Sequence, residues 1–160
     1  MTVIASIPGL VLVILVAFLG LFLGGMHWKW APVVDRVRWA NLRFFNPTQM
    51  DTAGHPGAFA QVLRHTGRTS GRVYETPLGI EPTEDGFVIA MVYGDRTQWS
   101  KNVLAAGHAE VVRDDIIYEV ERPEIVPLAD VAGYLQPSDR RMMGLFGVEH
   151  ALRLYHADHD

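Results

Sequence analysis

The chain has 160 residues, a length that favours a single domain, and 49% of its residues are hydrophobic. Its formal net charge of -4 does not favour nucleic-acid binding, which usually needs a basic surface. The sequence contains no cysteine, so disulfides and cysteine-ligated zinc or iron–sulfur sites are excluded.

Residues 1–26 contain no charged side chain and are long enough to cross a bilayer as a helix. A secretory signal peptide is one alternative, but it would need a basic start and a small-residue cleavage site. No Lys or Arg precedes the apolar run, which ends in Gly24-Gly25-Met26-His27-Trp28. A buried globular helix is the other alternative, and no polar residues mark a solvent face for it. The sequence therefore predicts an uncleaved transmembrane anchor over residues 1–28.

Basic residues lie on only one side of this apolar run. None precedes it, and four follow it closely: Lys29, Arg36, Arg38 and Arg43. The positive-inside rule then predicts a single-pass protein of the cell membrane with its C-terminal domain in the cytoplasm. Trp28 and Trp30 fit an aromatic belt at the membrane interface.

Residues 29–57 are predicted to form a juxtamembrane helix followed by a linker. Four apolar residues share one helical stripe: Val33, Val37, Ala40 and Phe44. The helix either lies along the membrane surface or forms the first core helix of the domain. Residues 46–57 are rich in Pro, Gly and Asn, which predicts a linker or loop.

Residues 58–160 are predicted to form one mainly β domain with short helices. Strand patterns occur at residues 58–66, 72–81, 87–93, 109–113, 116–126 and 150–156, with a turn signal at Glu84-Asp85-Gly86. A helix is predicted over residues 97–106, with Thr97 as its N-cap and Gly107 as its C′ residue, and a second helical region over 128–146. Strands joined by hairpins favour an antiparallel sheet or small barrel over a Rossmann sheet.

The segment TGRTSGR, residues 66–72, combines turn residues with anion-binding side chains. Gly67 and Gly71 allow positive φ angles, and Arg68 and Arg72 offer guanidinium groups suited to phosphate or carboxylate. The segment is not a Walker A loop, because three residues rather than four separate its glycines. It is either a plain solvated hairpin turn or a backbone nest for an anion.

A second candidate segment, residues 91–107, runs from a buried strand through Tyr93-Gly94-Asp95-Arg96 into a helix. The free backbone N–H groups at the start of that helix favour an anion. Trp99 and Asn102 lie on neighbouring faces of the helix. The alternative is that Trp99 belongs to the core and that Asn102 is a polar residue with satisfied hydrogen bonds.

Together the two segments resemble the deazaflavin-dependent nitroreductase family, whose members use coenzyme F420 and include quinone reductases. The family pattern is T-G-R-x-[ST]-G, then [NT]-P-L, then a glycine-containing loop after a strand, then W-x-x-N-[LV]. The corresponding residues here are 66–71, 76–78, 93–94 and 99–103. The resemblance extends from Ala58 to Arg122.

This resemblance implies a split β-barrel fold, similar to flavin reductases, and hydride transfer from reduced coenzyme F420 to a quinone or nitro-type acceptor. FMN is the alternative cofactor, and no metal site is expected. The residues implied to bind the phosphate and acidic tail of the cofactor are Arg68, Thr69, Ser70, Gly71 and Arg72. The residues implied to line or support the ring are Thr76, Pro77, Tyr93, Gly94, Arg96, Trp99 and Asn102. Tyr93 is the candidate catalytic proton donor.

Two departures from the family pattern remove positive charge from the implied phosphate site. Thr69 stands where many members have lysine, and Tyr74 where they often have arginine. Each lost charge-assisted contact costs about 1.5–3 kcal/mol, which Arg72 can offset. These departures keep open a different class of function, a non-catalytic split barrel that binds a flavin, a fatty acid or another apolar ligand. Related barrels commonly dimerise, so a second copy of the chain is a candidate partner.

Overall fold

The computed structural model describes the backbone of residues 3–158 and the side chains of residues 8–158. Residues 1, 2, 159 and 160 lie outside it, and residue 159 is one of the scattered histidines of the sequence. Helix α1 spans Val3–His27 and α2 spans Ala31–Ala40. A π-helical turn, Asn41–Phe45, connects α2 directly to α3, Asn46–Met50.

The rest of the described chain forms one sheet, three α-helices and two short 3-10 turns. Its strands are β1 (Gln61–Thr66), β2 (Val73–Leu78), β3 (Glu81–Pro82), β4 (Gly86–Ala90), β5 (His108–Arg113), β6 (Ile116–Pro127) and β7 (His150–His156). The helices are α4 (Gln98–Ala106), α5 (Leu128–Val131) and α6 (Pro137–Leu145). The strand order is β2-β1-β5-β6-β7-β4-β3, and every neighbouring pair is antiparallel.

The prediction of a mainly β, antiparallel fold is confirmed. The sheet is an open half-barrel, with β2 and β3 as its two edges. Residues 72–81 form two strands rather than one, because the chain leaves β2 after Leu78 and re-enters the sheet at the opposite edge. Pro77 lies in β2, which pairs with β1 alone among the described strands, so its missing N–H interrupts no second ladder there.

Strand β4 ends at Ala90, three residues before the predicted end at Tyr93. The N–H of Val92 donates to the carbonyl oxygen of Ala90 at 3.0 Å, and the N–H of Gly94 donates to that of Met91 at 2.8 Å. These local bonds fold the chain into a tight turn. Tyr93 therefore leaves the sheet and becomes available to line a cavity.

Helix α4 matches its prediction closely. Gly107 follows it in the left-handed conformation, with φ of 77°, and donates its N–H to the carbonyl oxygen of Val103 at 2.9 Å. Thr97 precedes the helix as expected, but its Oγ1 lies 2.7 Å from Ser100 Oγ instead of capping a backbone N–H. Trp99 and Val103 enter the core cluster with apolar residues of β1, β4, β5, β6 and β7.

Residues 29–57 differ from the predicted helix and linker. The first part of the predicted linker is helical, because α3 continues from the π-helical turn with Pro47 in its first turn. Val33, Val37 and Ala40 are half-buried as a core helix requires, whereas Phe44 is 56% exposed. The π-helical turn holds more residues per turn than an α-helix and so rotates Phe44 out of the stripe.

Helix α1 contains a stretch, Pro8–His27, of 20 residues with a mean hydropathy of 2.6. The stretch lies near the N-terminus and is largely exposed in the folded chain. Its length and apolarity are sufficient to cross a bilayer.

Candidate ligand-binding site

The turn between β1 and β2 carries the glycine-bracketed segment. Thr66 and Val73 are the last residues that pair across the two strands. The N–H of Gly67 donates to the carbonyl oxygen of Arg72, and the N–H of Gly71 to that of Gly67, each at 2.8 Å. Gly71 has φ of 66°, a conformation that side chains disfavour. The turn therefore presents residues 68–70 beyond the ends of β1 and β2.

Asn102 of α4 links this turn to the sheet. Its Oδ1 accepts hydrogen bonds from the Arg68 side chain at 2.8 Å and from the Arg68 backbone N–H at 3.3 Å. Its Nδ2 lies 3.2 Å from Nδ1 of His65, and Nε2 of His65 lies 3.1 Å from Thr76 Oγ1. Asn102 and His65 are 6% and 5% exposed. The predicted Arg68, Thr76 and Asn102 thus belong to one hydrogen-bonded chain that passes through His65.

The partners of Asn102 determine the tautomer of His65. Because Oδ1 of Asn102 accepts from Arg68, Nδ2 must donate to Nδ1 of His65. The proton of the neutral imidazole is then on Nε2, which donates to Thr76 Oγ1. Desolvation lowers the pKa of His65 and favours this neutral form.

Tyr74 of β2 occupies the position where the resembling family often has arginine. Its ring stacks on His65 with centroids 5.9 Å apart, and its hydroxyl lies 3.1 Å from Ser70 Oγ. Ser70 Oγ also accepts a hydrogen bond from the backbone N–H of Arg72 at 3.3 Å. Tyr74 and Ser70 therefore place an aromatic ring and a pair of hydroxyl groups beside His65.

These residues surround a cavity of about 540 Å³, a size that suits a cofactor or small-molecule ligand. Eight of the predicted site residues line it: Arg68, Thr69, Ser70, Thr76, Pro77, Tyr93, Trp99 and Asn102. The turn after β1, the edge strand β2, the turn after β4 and helix α4 meet at this place. Segments far apart in the sequence thus form one pocket.

Four predicted residues do not line this cavity: Gly71, Arg72, Gly94 and Arg96. The side chains of Arg72 and Arg96 are exposed. Gly71 shapes the turn, and Gly94 lines a separate cavity of about 680 Å³ together with Asp95. Arg38 of α2, which the sequence did not single out for this site, lines the cavity and pairs with Asp35 at 3.3 Å.

Sequence reasoning missed one wall of the cavity. It consists of His65 and of residues from α2, the π-helical turn and α3: Arg38, Asn41, Leu42 and Asn46. Asn46 Oδ1 is buried, and among the described residues it has no hydrogen-bond partner. Arg38 and Asn41 are three residues apart and share one face of a regular helix, whereas Asn46, five residues after Asn41, does not, so the sequence indicated only part of this wall.

Tyr93 enters the cavity from the turn after β4. It is half-buried, and desolvation raises the pKa of its hydroxyl. The phenol is therefore fully protonated at neutral pH and can donate a hydrogen bond or a proton to a ligand.

No protein-family model and no curated protein matches the chain. Similar solved structures include an F420-H2-dependent reductase, FDR-A, with 15% identity and a TM-score of 0.44 over 61% of this chain and 93% of that one. An F420 reductase has 16% identity and a TM-score of 0.44 over 68% and 92%. The haem storage protein HutZ from Vibrio cholerae has 9% identity and a TM-score of 0.46 over 71% and 90%.

Proposed function

We propose that the chain is a membrane-anchored oxidoreductase that passes a hydride from reduced coenzyme F420 to a quinone or nitro-type acceptor. The observation that carries the proposal is the cavity itself. The TGRTSGR turn, the Thr76-Pro77 segment, Tyr93 and the Trp99–Asn102 face of α4 all contribute to its wall. Those are the segments on which the family resemblance rests.

The wall of the cavity fits a ligand that has a flat ring and an acidic tail. Arg68 and Arg38 offer guanidinium groups, and Thr69 and Ser70 offer hydroxyl donors, all suited to phosphate or carboxylate oxygens. Pro77, Leu78 and Trp99 give the apolar surfaces that a ring needs. The volume of about 540 Å³ lies within the range of cofactor sites.

When bound, the reduced deazaflavin supplies the hydride, and the residues of the chain supply position and protonation. Asn102 holds the Arg68 guanidinium at 2.8 Å, so less side-chain entropy is lost when Arg68 meets an anion. The Tyr93 hydroxyl is the proton donor for the acceptor oxygen that becomes negatively charged. The apolar wall excludes water from the transfer.

The surroundings of the cavity support the proposal of a lipid-dissolved acceptor. Leu42 lines the cavity and is 59% exposed. Its exposed apolar neighbours on the same segment are Trp39, Phe44 and Phe45. This apolar surface begins at Trp39, 12 residues after α1, the candidate membrane span, ends at His27. A quinone can therefore approach the cavity from the bilayer, with the domain on the cytoplasmic side.

A second candidate function is binding of a flavin, a fatty acid or another apolar ligand without catalysis. The observation in its favour is that Thr69 and Tyr74 line the cavity where the resembling family places basic residues. Both candidates are compatible with a homodimer, because the described sheet is an open half-barrel in which β2 and β3 are edge strands.

The test is a fluorescence titration of coenzyme F420 into the full chain in lipid nanodiscs, with FMN and a fatty acid as parallel ligands. Arg68→Ala should weaken F420 binding about tenfold or more, because one charge-assisted hydrogen bond contributes about 1.5–3 kcal/mol. Arg141→Ala, which removes an exposed arginine of α6, is the matched control. Binding of fatty acid but not of F420 up to about 100 μM would reject the reductase in favour of the second candidate.

A further inference from the structure

Lys29 occupies a strained position between the end of α1 and the start of α2. Its φ of 52° lies in the left-handed region, which residues other than glycine rarely adopt. The conformation is fixed by hydrogen bonds from the Lys29 N–H to the Met26 carbonyl oxygen at 3.3 Å and from the Trp30 N–H to that of Gly25 at 2.8 Å. Such strain persists only where surrounding contacts determine the conformation.

The Lys29 ammonium binds carbonyl oxygens from two distant parts of the fold. Its Nζ donates to Val92 O at 2.8 Å and to Phe146 O at 2.9 Å. Burial lowers the pKa of this ammonium, an effect that the charge of Glu149 partly opposes. The side chain thus crosses the surface between α1 and the sheet and ends against backbone rather than in solvent.

The Phe146 carbonyl oxygen belongs to a segment that also packs closely against α1. Phe146 packs edge-on against Phe22 with ring centroids 6.1 Å apart. Gly147 follows it with φ of 59°, and its Cα faces the carbonyl oxygen of His27 so closely that a Cβ would clash. His27 Nδ1 lies 3.2 Å from the Leu145 carbonyl oxygen. The C-terminal end of α1 is therefore firmly docked on the turn between α6 and β7.

The Val92 carbonyl oxygen belongs to the turn that carries Tyr93. Among the described residues, the Val92 and Gly94 N–H groups donate only within this turn, to the carbonyl oxygens of Ala90 and Met91. The Met91 N–H ties the start of the turn to the His150 carbonyl oxygen at 3.0 Å. After Met91, the turn is joined to the docked end of α1 by the hydrogen bond from Lys29 Nζ to the Val92 carbonyl oxygen.

We propose that Lys29 is a positioning residue that couples the end of α1 to Tyr93. The Lys29 ammonium fixes the Val92 carbonyl relative to the docked end of α1. It thereby determines where Tyr93, the residue after Val92, enters the cavity. Loss of the ammonium leaves Val92 O without this donor and frees the turn to move. The kinetic consequence rests on the proposed reductase function, whereas the structural coupling does not.

The test compares the only two lysines of the chain, with Lys29→Met as the probe and Lys101→Met as the matched control. Lys101 is exposed on α4. Hydrogen exchange is measured on the full chain in lipid nanodiscs without ligand. Lys29→Met should accelerate exchange of the Val92 and Gly94 amides about tenfold. The amides of the turn between β1 and β2 should not change.

A kinetic measurement follows if coenzyme F420 binds. Lys29→Met should lower kcat for acceptor reduction about tenfold and change the Kd for F420 less than about threefold, because Arg68 and Asn102 are untouched. Lys29→Arg, which keeps a cation and donors, should restore at least part of the rate. Unchanged exchange at Val92 and Gly94 in folded Lys29→Met overturns the proposal, as does faster exchange spread evenly over β4 and β7. If F420 does not bind, the exchange result decides alone.

Discussion

Asn102 is the residue on which the geometry of the cavity depends most. One amide side chain accepts from Arg68 and donates to His65, and His65 in turn donates to Thr76. A buried chain of this kind is stable only when every member has its partner, because an unsatisfied buried polar group costs about 1–3 kcal/mol. The neutral state of His65 is therefore part of the site, and protonation of His65 would break it.

The buried neutral His65 predicts a pH-dependent stability. Its pKa in the folded chain lies below the unfolded value of about 6.5, because burial disfavours the charged form. Below that pH the unfolded chain takes up a proton that the folded chain resists. Stability then falls as pH falls, by up to about 1.4 kcal/mol per pH unit, until the pH reaches the folded pKa.

The measurement is the unfolding midpoint of the full chain in detergent from pH 7.5 down to pH 5, for the wild type and two variants. His65→Gln should show a smaller loss of stability towards acid pH than the wild type. His108→Gln, which changes an exposed histidine at the start of β5, should keep the wild-type slope. Identical slopes for all three proteins would contradict the role given to His65.

At the scale of elements, the segment from α2 through the π-helical turn to α3 has two functional faces. Its inner face contributes Arg38, Asn41 and Asn46 to the cavity. Its outer face exposes Trp39 and Phe45 at 61% and 59%. The π-helical turn produces this division, because it rotates the residues after Ala40 relative to a regular helix. The outer face is therefore expected to lie in the membrane interface.

Spin labels can test this placement cleanly, because the chain has no cysteine. In lipid nanodiscs, labels on Trp39→Cys and Phe45→Cys should be more accessible to oxygen, which concentrates in lipid, than to a water-soluble nickel complex. A label on Ile117→Cys, 54% exposed on β6, is the aqueous control. Equal nickel accessibility at all three positions would place the outer face in water instead.

At the scale of the whole molecule, the basic residues after α1 predict that the sheet domain lies in the cytoplasm. Ile117→Cys should then react with a membrane-impermeant maleimide only after cells are permeabilised. The chain should also remain in the membrane after carbonate extraction, because a 20-residue apolar helix is held by the hydrophobic effect rather than by charge. Labelling in intact cells, or release by carbonate, would indicate an exported domain or a cleaved leader.

The sequence by itself determined the parts of this protein that depend on local chemistry. The glycine-bracketed turn, the end of α4 at Gly107 and the apolar α1 follow from backbone freedom and from hydropathy. Alternating apolar strands joined by turn residues specify an antiparallel sheet. The family pattern also selected eight of the residues that line the cavity.

Only the tertiary structure decided which side chains meet. Arg72 and Arg96 are exposed and do not line the cavity, although Arg68 of the same turn as Arg72 does, because side-chain direction depends on backbone angles that a motif does not specify. Arg38 and Asn46 reach the cavity because α3 contacts β2 and a π-helical turn rotates the segment, and neither feature has a periodic signature. The contact of Lys29 with Val92 spans 63 residues and exists only because α1 docks beside the turn that carries Tyr93.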